Sequence, residues 1–458
     1  MAIKFGTDGW RAKIGEEYTF ENLSKVTLAY AEYMKGKKKT PKIALGYDTR
    51  FLSETYAAFS AELLKKAGFT VNLFNKPVPT PLVSWTVKNL KLDGGIMITS
   101  SHNPATYNGF KIKNSYGAGI SSAETTKIEE FIENPVKPKE AKGEVKVINY
   151  DEEYLKDISK FVDIKAINKS GLSIVVDCMY GSGAGYMESL LKGKVKAIRN
   201  YREPLFGGIN PEPIKPNLVE LFATVKKEKA DIGLAVDGDG DRMGVVDNAG
   251  NFLSAHKALV LILLYHIKYK KFNGNFIRTV SGTFLLDRVA KECGVKLTEV
   301  PIGFKYIADI MIKEKNVIGG EESGGTGFGY YLPERDGIMS NLMLAEFVGK
   351  EKKPLTEIIK TLETKYGEYK YDRIDVEFEA NKRAEIVKRV ALLEKEGQVL
   401  GNKIKTTNKI DGTKFIFGND MWLLFRFSGT EPLLRIYCEA PDENIVKKML
   451  TFGKTMAE

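Results

Sequence analysis

Three aspartates alternate with glycine in Asp237-Gly238-Asp239-Gly240-Asp241, and Arg242 follows. Carboxylates at two-residue spacing, with almost no side-chain bulk between them, can curl their oxygens around one small hard cation. With no Cys or His beside them, these donors favour Mg²⁺ or a similar ion over zinc. A calcium loop of the EF-hand type needs glycine at its sixth place and a carboxylate at its twelfth, where this chain has Arg242 and Asn248. A catalytic cation is the stronger reading than calcium buffering; an Asp-rich solvated turn is the alternative.

Three further loops carry chemistry. Thr99-Ser100-Ser101-His102-Asn103-Pro104 offers hydroxyls after an apolar run, where α/β folds place their sites, although small polar residues opening on Asn-Pro also make an ordinary turn. A Ser-His hydrolase is disfavoured, because adjacent residues on an extended chain point opposite ways and no GxSxG elbow is present. Gly319-Gly320-Glu321-Glu322-Ser323-Gly324-Gly325 lets a ligand approach the backbone and presents groups suited to several sugar hydroxyls; a bland flexible loop is the other reading. Arg426-Phe427-Ser428-Gly429-Thr430 places Arg426, Ser428 and Thr430 on one side with a free backbone at Gly429, a phosphate cradle that a simple hairpin turn would not need. Gly181-Ser182-Gly183-Ala184-Gly185-Tyr186 is rejected as a dinucleotide site, since Tyr186 stands where the last glycine belongs.

The elements that must position these loops alternate between strand and helix patterns. The first stretch reads as strand 42–46, helix 54–67 ended by Gly68, strand 70–74, helix 82–89 and strand 95–99. The second reads as strand 173–177, helix 184–191, strand 194–198, helix 218–228 and strand 232–236. The third reads as strand 276–280, helix 285–293, strand 296–300, helix 306–313 and strand 317–318, after an almost wholly apolar, hence buried, helix over 255–269. His256 and His266 on that helix are expected to pack, not to bind metal. From about 374 onward, alternating strands and two amphipathic helices make a small α+β domain on an antiparallel sheet. The expected fold is α/β in four domains: 1–147, 148–250, 251–367 and a smaller α+β domain, 368–458. A domain boundary is expected near Tyr366–Tyr371.

Composition agrees with a soluble globular protein: 458 residues, 43% hydrophobic and 28% charged. The net charge of +10 is diffuse, with only a short patch at Lys37–Lys39, which suits anionic small substrates better than nucleic acid. No signal peptide is visible at the amino terminus, and the apolar run 258–267 is too short to span a bilayer. Cys178, Cys293 and Cys438 have no metal spacing and read as buried free thiols in a reducing cytoplasm.

The four loops in this order, with the early Phe5-Gly6-Thr7-Asp8-Gly9-Trp10-Arg11, resemble the α-D-phosphohexomutase family over essentially the whole chain. The resemblance implies four domains around a central cleft, and interconversion of 1-phospho and 6-phospho sugars through a phosphoserine and a hexose 1,6-bisphosphate, which also serves as activator. By position, Ser101 is the implied phosphoserine, next to His102 among the catalytic residues; Ser100 stands where the family usually has alanine. Asp237, Asp239 and Asp241 would hold Mg²⁺ together with the Ser101 phosphate. Arg11 and Arg242 would face the moving phosphoryl group. Lys111 would be the acid/base, its pKa expected to be lowered by the cationic surroundings. Glu321 and Ser323 would bind the sugar, Lys305 the sugar or a phosphate, and Arg426, Ser428, Gly429 and Thr430 the phosphate at rest.

The Gly-Glu-Glu-Ser-Gly form is closer to glucose-type members, so phosphoglucomutase is the leading expectation. Phosphomannomutase and phosphoglucosamine mutase are alternatives within the family. From other classes come a Mg²⁺-dependent sugar phosphatase and a silent phosphosugar-binding relative, which the intact Ser101 and aspartates oppose. The expected partners are a phosphosugar and no nucleic acid or membrane, in a monomer or homodimer.

Overall fold

Each functional loop leaves the end of a strand, and the computed structural model, which describes residues 3–6, 8–135, 141–429 and 432–457, shows how those ends are built. The architecture is four domains, three α/β with mixed strand directions and a smaller α+β domain at the carboxyl end. In the first, the strand order is Trp10–Lys13, Tyr107–Lys113, Gly94–Ile98, Lys42–Tyr47, Thr70–Phe74, Glu144–Ile148. The last four run parallel, and the first two run antiparallel to the strands beside them. Gly94–Ile98 is buried along its whole length, so it reads as a continuous apolar run.

The second domain repeats the plan. Ile174–Asp177, Val195–Ile198 and Ile232–Val236 are parallel, and Met243–Asp247 returns antiparallel beside the last of them. The strand Ile232–Val236 and its partner Met243–Asp247 are both fully buried, which leaves the aspartate loop between two rigid edges. The helix expected over 184–191 forms only over Tyr186–Leu190, because the glycines before it make a turn that packs on the aspartate loop.

The chain divides into two compact units, residues 1–274 with 303–358, and residues 275–302 with 359–458. In the first unit, Val317–Gly320, Thr326–Phe328 and Leu332–Arg335 form an antiparallel meander. In the second, the parallel pair Asn275–Thr279 and Lys296–Val300 accompanies an antiparallel sheet ordered Lys370–Glu377, Leu433–Ala440, Trp422–Phe427, Thr413–Ile416, Thr406–Asn408. Buried Lys414 ties these pieces: its Nζ donates to Val280 O at 2.6 Å and sits over the Trp422 ring. The boundary expected near 366–371 falls inside this unit, where Tyr366 O accepts from Arg288 Nη1 at 2.7 Å.

The helix Ala255–Lys270 is buried as its composition requires. His266, 1% exposed, packs there in the role expected: its Nδ1 lies 2.7 Å from Ile262 O, its Nε2 2.9 Å from Tyr330 Oη, and its ring stacks on Phe328. Burial pushes its pKa down from 6.5 to about 4. The unfolded chain therefore takes up a proton in this window that the folded chain refuses, and stability drains away as pH falls from 6.5 towards 4. In urea titrations, His266→Phe is expected to lose about 2 to 3 kcal/mol less than the parent between pH 7.5 and 4.5; parallel losses would contradict this.

Of the cysteines, Cys178 and Cys438 are buried as expected, whereas Cys293 is exposed, capping the carboxyl end of the helix Phe284–Glu292 beyond its last buried turn. No helix among the described residues is long and apolar enough to cross a membrane.

Candidate active site

Backbone hydrogen bonds shape the aspartate loop into a cup. Asp237 Oδ1 accepts from the backbone N–H groups of Asp241 and Arg242 at 2.9 and 3.1 Å, which closes the loop on itself. Asp237, Asp239 and Asp241 are each fully buried, and one oxygen from each lies within 4.8 Å of the others. Gly238 is required by close approach, since a Cβ there would stand 2.5 Å from Ser101 O. Three buried carboxylates repel one another, and burial together with Asp241 and Asp239 drives Asp237 well above the usual carboxylate range.

Asp239 Oδ1 and Asp241 Oδ1 are buried without a hydrogen-bond partner among the described residues. Unpaired oxygens of this kind are costly in a protein interior unless something positive meets them. Orphaned hard donors beside oxygens close enough to share one ion fit a Mg²⁺-type cation, with Asp237, Asp239 and Asp241 as its protein ligands.

Ser101 comes to this cup from the end of the strand Gly94–Ile98. Its Oγ donates to Asp237 Oδ2 at 2.8 Å and lies 3.3 Å from His102 Nδ1. Ser100 Oγ is buried and finds no partner among the described residues, so the two neighbouring hydroxyls are not equivalent. Ser101 has a φ of +52°, a left-handed conformation that a non-glycine residue adopts only when its surroundings impose it. Arg11 reaches the same loop through Asn103 Oδ1 at 2.8 Å. Burial and the cations Arg242, Arg11 and Lys111 hold the His102 imidazole well below its usual pKa, in the neutral form.

Charged groups pack tightly behind the cup. Lys111 Nζ, 1% exposed, meets Asp239 at 2.8 Å, Asp8 at 2.9 Å and Asp241 at 3.1 Å. Burial opposes its charge, but the three carboxylates prevail and raise its pKa. This corrects the expectation of a lowered lysine: the neighbours at contact distance are anions, with Arg335 the counteracting cation. Arg242, expected at the phosphate, pairs with Glu212 at 3.1 Å, and Glu212 also stands 3.9 Å from His102 Nε2.

The glutamate loop is fastened to the aspartate loop through the backbone, Met243 N donating to Gly324 O at 3.1 Å. Gly324 has a φ of +89°, and a Cβ there would meet Met243 O at 2.5 Å, so glycine is needed on both counts. Glu321 is buried beside Arg335, 3.5 Å away, and burial raises its pKa to about 7. Ser323 is half-buried in the same loop. Lys305 donates to Ser122 Oγ on the helix Ser122–Glu133.

In the second unit, Arg426 Nε donates to Asp411 at 2.9 Å, Ser428 N donates to Leu433 O at 2.8 Å, and Gly429 is exposed with open space where a Cβ would be. Thr430 lies outside the described residues.

The structure thus joins Ser101, His102, Arg11, Lys111, Arg242, Glu321 and the three aspartates in one network, and places Arg426, Ser428 and Gly429 in the other unit. It adds residues not singled out from sequence. Arg335 bridges Asp8 at 2.6 Å and Asp241 at 2.8 Å, and Thr80 Oγ1 donates to Asp239 Oδ2 at 2.6 Å. Glu334-Arg335-Asp336, three charges between apolar residues, was a usable signal for the first. Nothing around Thr80 marked it.

Known proteins carry the same arrangement of domains. Residues 2–139, 152–250 and 255–366 match the family patterns described as phosphoglucomutase/phosphomannomutase alpha/beta/alpha domains I, II and III, and residues 376–451 match the C-terminal domain. The chain belongs to this phosphohexomutase family and is an enzyme of the isomerase class. It is 33% identical to a phosphoglucomutase/phosphomannomutase of Thermococcus kodakarensis, covering 100% of this chain and 99% of the relative. It is 34% identical to a probable phosphoglucosamine mutase of Methanosphaera stadtmanae, covering 95% and 94%. Among solved structures, a putative phosphomannomutase from Thermus thermophilus superposes with a TM-score of 0.87 at 34% identity, covering 100% of this chain and 99% of that one.

Proposed function

We propose that the protein interconverts hexose 1-phosphate and hexose 6-phosphate, with glucose as its main sugar, through phosphorylated Ser101 and a hexose 1,6-bisphosphate. The observation that carries this reading is Ser101 Oγ, 2.8 Å from Asp237 in a cup whose other two aspartates have unpaired oxygens. A cation bound by Asp237, Asp239 and Asp241 supplies neutralisation of the charge on the phosphoryl oxygens. Phosphorylated Ser101 gives its phosphoryl group to the free hydroxyl of the sugar monophosphate; the new P–O bond forms at the sugar as the Ser101 Oγ–P bond breaks. The hydroxyl proton leaves with the attack and the departing Ser101 Oγ needs one, so the step balances when the Lys111 ammonium, the proposed acid/base, gives a proton to Ser101 Oγ and takes the sugar's proton in its place. After the bisphosphate turns around, Ser101 Oγ takes back the other phosphoryl group. Arg11 and Arg242 orient the moving group, Glu321, Ser323 and Lys305 bind the sugar, and Arg426, Ser428, Gly429 and Thr430 hold the phosphate at rest. The proposed domains are 1–147, 148–250, 251–367 and 368–458, in a cytoplasmic monomer or homodimer.

Glucosamine phosphate is a second reading, favoured by relatives that carry the name phosphoglucosamine mutase. Glucose, mannose and glucosamine 1-phosphates, each given Mg²⁺ and a trace of its own 1,6-bisphosphate, separate the cases: the 6-phosphate formed fastest names the sugar, and inorganic phosphate in its place marks a phosphatase. Glu321→Gln is expected to raise KM for the preferred sugar phosphate by roughly tenfold with a smaller change in kcat, the pattern of lost ground-state binding. An unchanged KM would remove Glu321 from the sugar site.

A further inference from the structure

Both backbone polar groups of Ser101 are held by buried side chains, Thr99 and Arg50, whose hydrogen bonds among the described residues go to groups other than the aspartates of the cup. Thr99, fully buried, accepts from Ser101 N at 2.8 Å and donates its own proton to Asp48 Oδ2 at 2.6 Å. On the other side, Arg50 Nη2 donates to Ser101 O at 2.7 Å and Asn103 O at 2.6 Å. Its Nη1 donates to Pro104 O at 2.8 Å and Tyr107 O at 3.0 Å. Asp48 anchors both: it pairs with Arg50 Nε at 3.1 Å, and its Oδ1 accepts from Arg50 N and Ser53 Oγ.

We infer that Thr99, backed by Asp48 and Arg50, is a positioning residue that holds Ser101 in its left-handed conformation so that Oγ faces Asp237. The inference rests on the proposed role of Ser101 as phosphoryl carrier. The Thr99 hydroxyl has one proton, and Asp48 takes it, so its lone pairs are left to face Ser101 N. Removing that acceptor leaves a buried N–H without a partner, and a serine freed of it relaxes towards negative φ and swings Oγ away from Asp237. Arg50 fixes the carbonyl side by spanning four carbonyls with one planar fork, a geometry no other side chain provides. Asp48-Thr49-Arg50 directly follows the strand Lys42–Tyr47, beside the strand that leads to Ser101, so adjacent strand ends of one sheet supply both the carrier and its brace.

The test compares Thr99→Val, of nearly the same shape but without the hydroxyl, with Thr99→Ser, which keeps it. Intact mass spectrometry follows the rate at which each protein gains one phosphoryl group from glucose 1,6-bisphosphate with Mg²⁺; kcat, KM for glucose 1-phosphate and the melting temperature are read alongside. Thr99→Val is expected to lose on the order of a hundredfold in phosphoryl uptake and kcat, as small misplacements of reacting atoms do, with KM retained. Thr99→Ser is expected to recover most of that loss. Arg50→Lys, which keeps the charge beside Asp48 but cannot span four carbonyls, gives the same reading should Thr99→Val not fold. A loss under tenfold in Thr99→Val, a KM that rises as kcat falls, or a Thr99→Ser protein no better than Thr99→Val overturns the inference. A parent protein that takes up no phosphoryl group overturns the proposed function itself, and this inference with it.

Discussion

Replacing Ser101 by alanine is expected to reduce mutase turnover by roughly a thousandfold or more, the scale on which loss of a covalent nucleophile is felt. Ser101 Oγ is the hydroxyl of this loop that meets an aspartate of the cup, at 2.8 Å from Asp237. Its loss removes the atom that carries the phosphoryl group, while the loop itself is held through backbone atoms of Ser101 that alanine also has. The melting temperature should therefore move little. Ser100→Ala is the matching control: its hydroxyl is buried without a partner among the described residues, and removing it is expected to leave turnover near the parent level. Steady-state assays of both variants decide the matter, and loss of activity in Ser100→Ala with retention in Ser101→Ala would reassign the carrier.

The second large effect is expected from Asp239→Asn. The asparagine oxygen can still accept from Thr80 and Lys111, which lie 2.6 and 2.8 Å from Asp239 Oδ2. The oxygen it replaces by NH₂ is the unpaired Oδ1. The change thus removes a hard anionic donor and puts a hydrogen-bond donor where a cation would sit. Turnover is expected to fall by roughly a hundredfold or more, since charge neutralisation at the phosphoryl oxygens is the main contribution such a site makes. A second readout is independent of turnover. Mg²⁺ at a hundred times its dissociation constant should stabilise the parent protein by about 2.7 kcal/mol, and the variant by much less. Equal stabilisation of both by Mg²⁺ would remove Asp239 from the metal site.

Much of this was legible in the chain because it is local. The aspartate loop sits between two buried strands, and its glycines and charges are consecutive, so position and chemistry could be read together. The fold class followed from alternating patterns in the same way. What escaped was set by contacts far apart in sequence. Lys111 was expected to be surrounded by cations, but the antiparallel strand Tyr107–Lys113 brings it against Asp8, Asp239 and Asp241. Arg335 joins Asp8 to Asp241 across distant parts of the chain, and no spacing rule reports that. Thr80 belongs to a helix start that looks structural until Asp239 is placed on it.

The central claim is that Ser101 carries a phosphoryl group between the two ends of a hexose. The most direct measurement starts from the purified protein with glucose 1,6-bisphosphate labelled in its phosphates, Mg²⁺ and unlabelled glucose 1-phosphate, with peptide mapping of the labelled protein and phosphorus NMR of the sugar. The account predicts label on the peptide at Ser101, chase of that label into the sugar, and glucose 6-phosphate formed without matching release of inorganic phosphate. Label that goes to inorganic phosphate, or that resides on any residue other than Ser101, would contradict it.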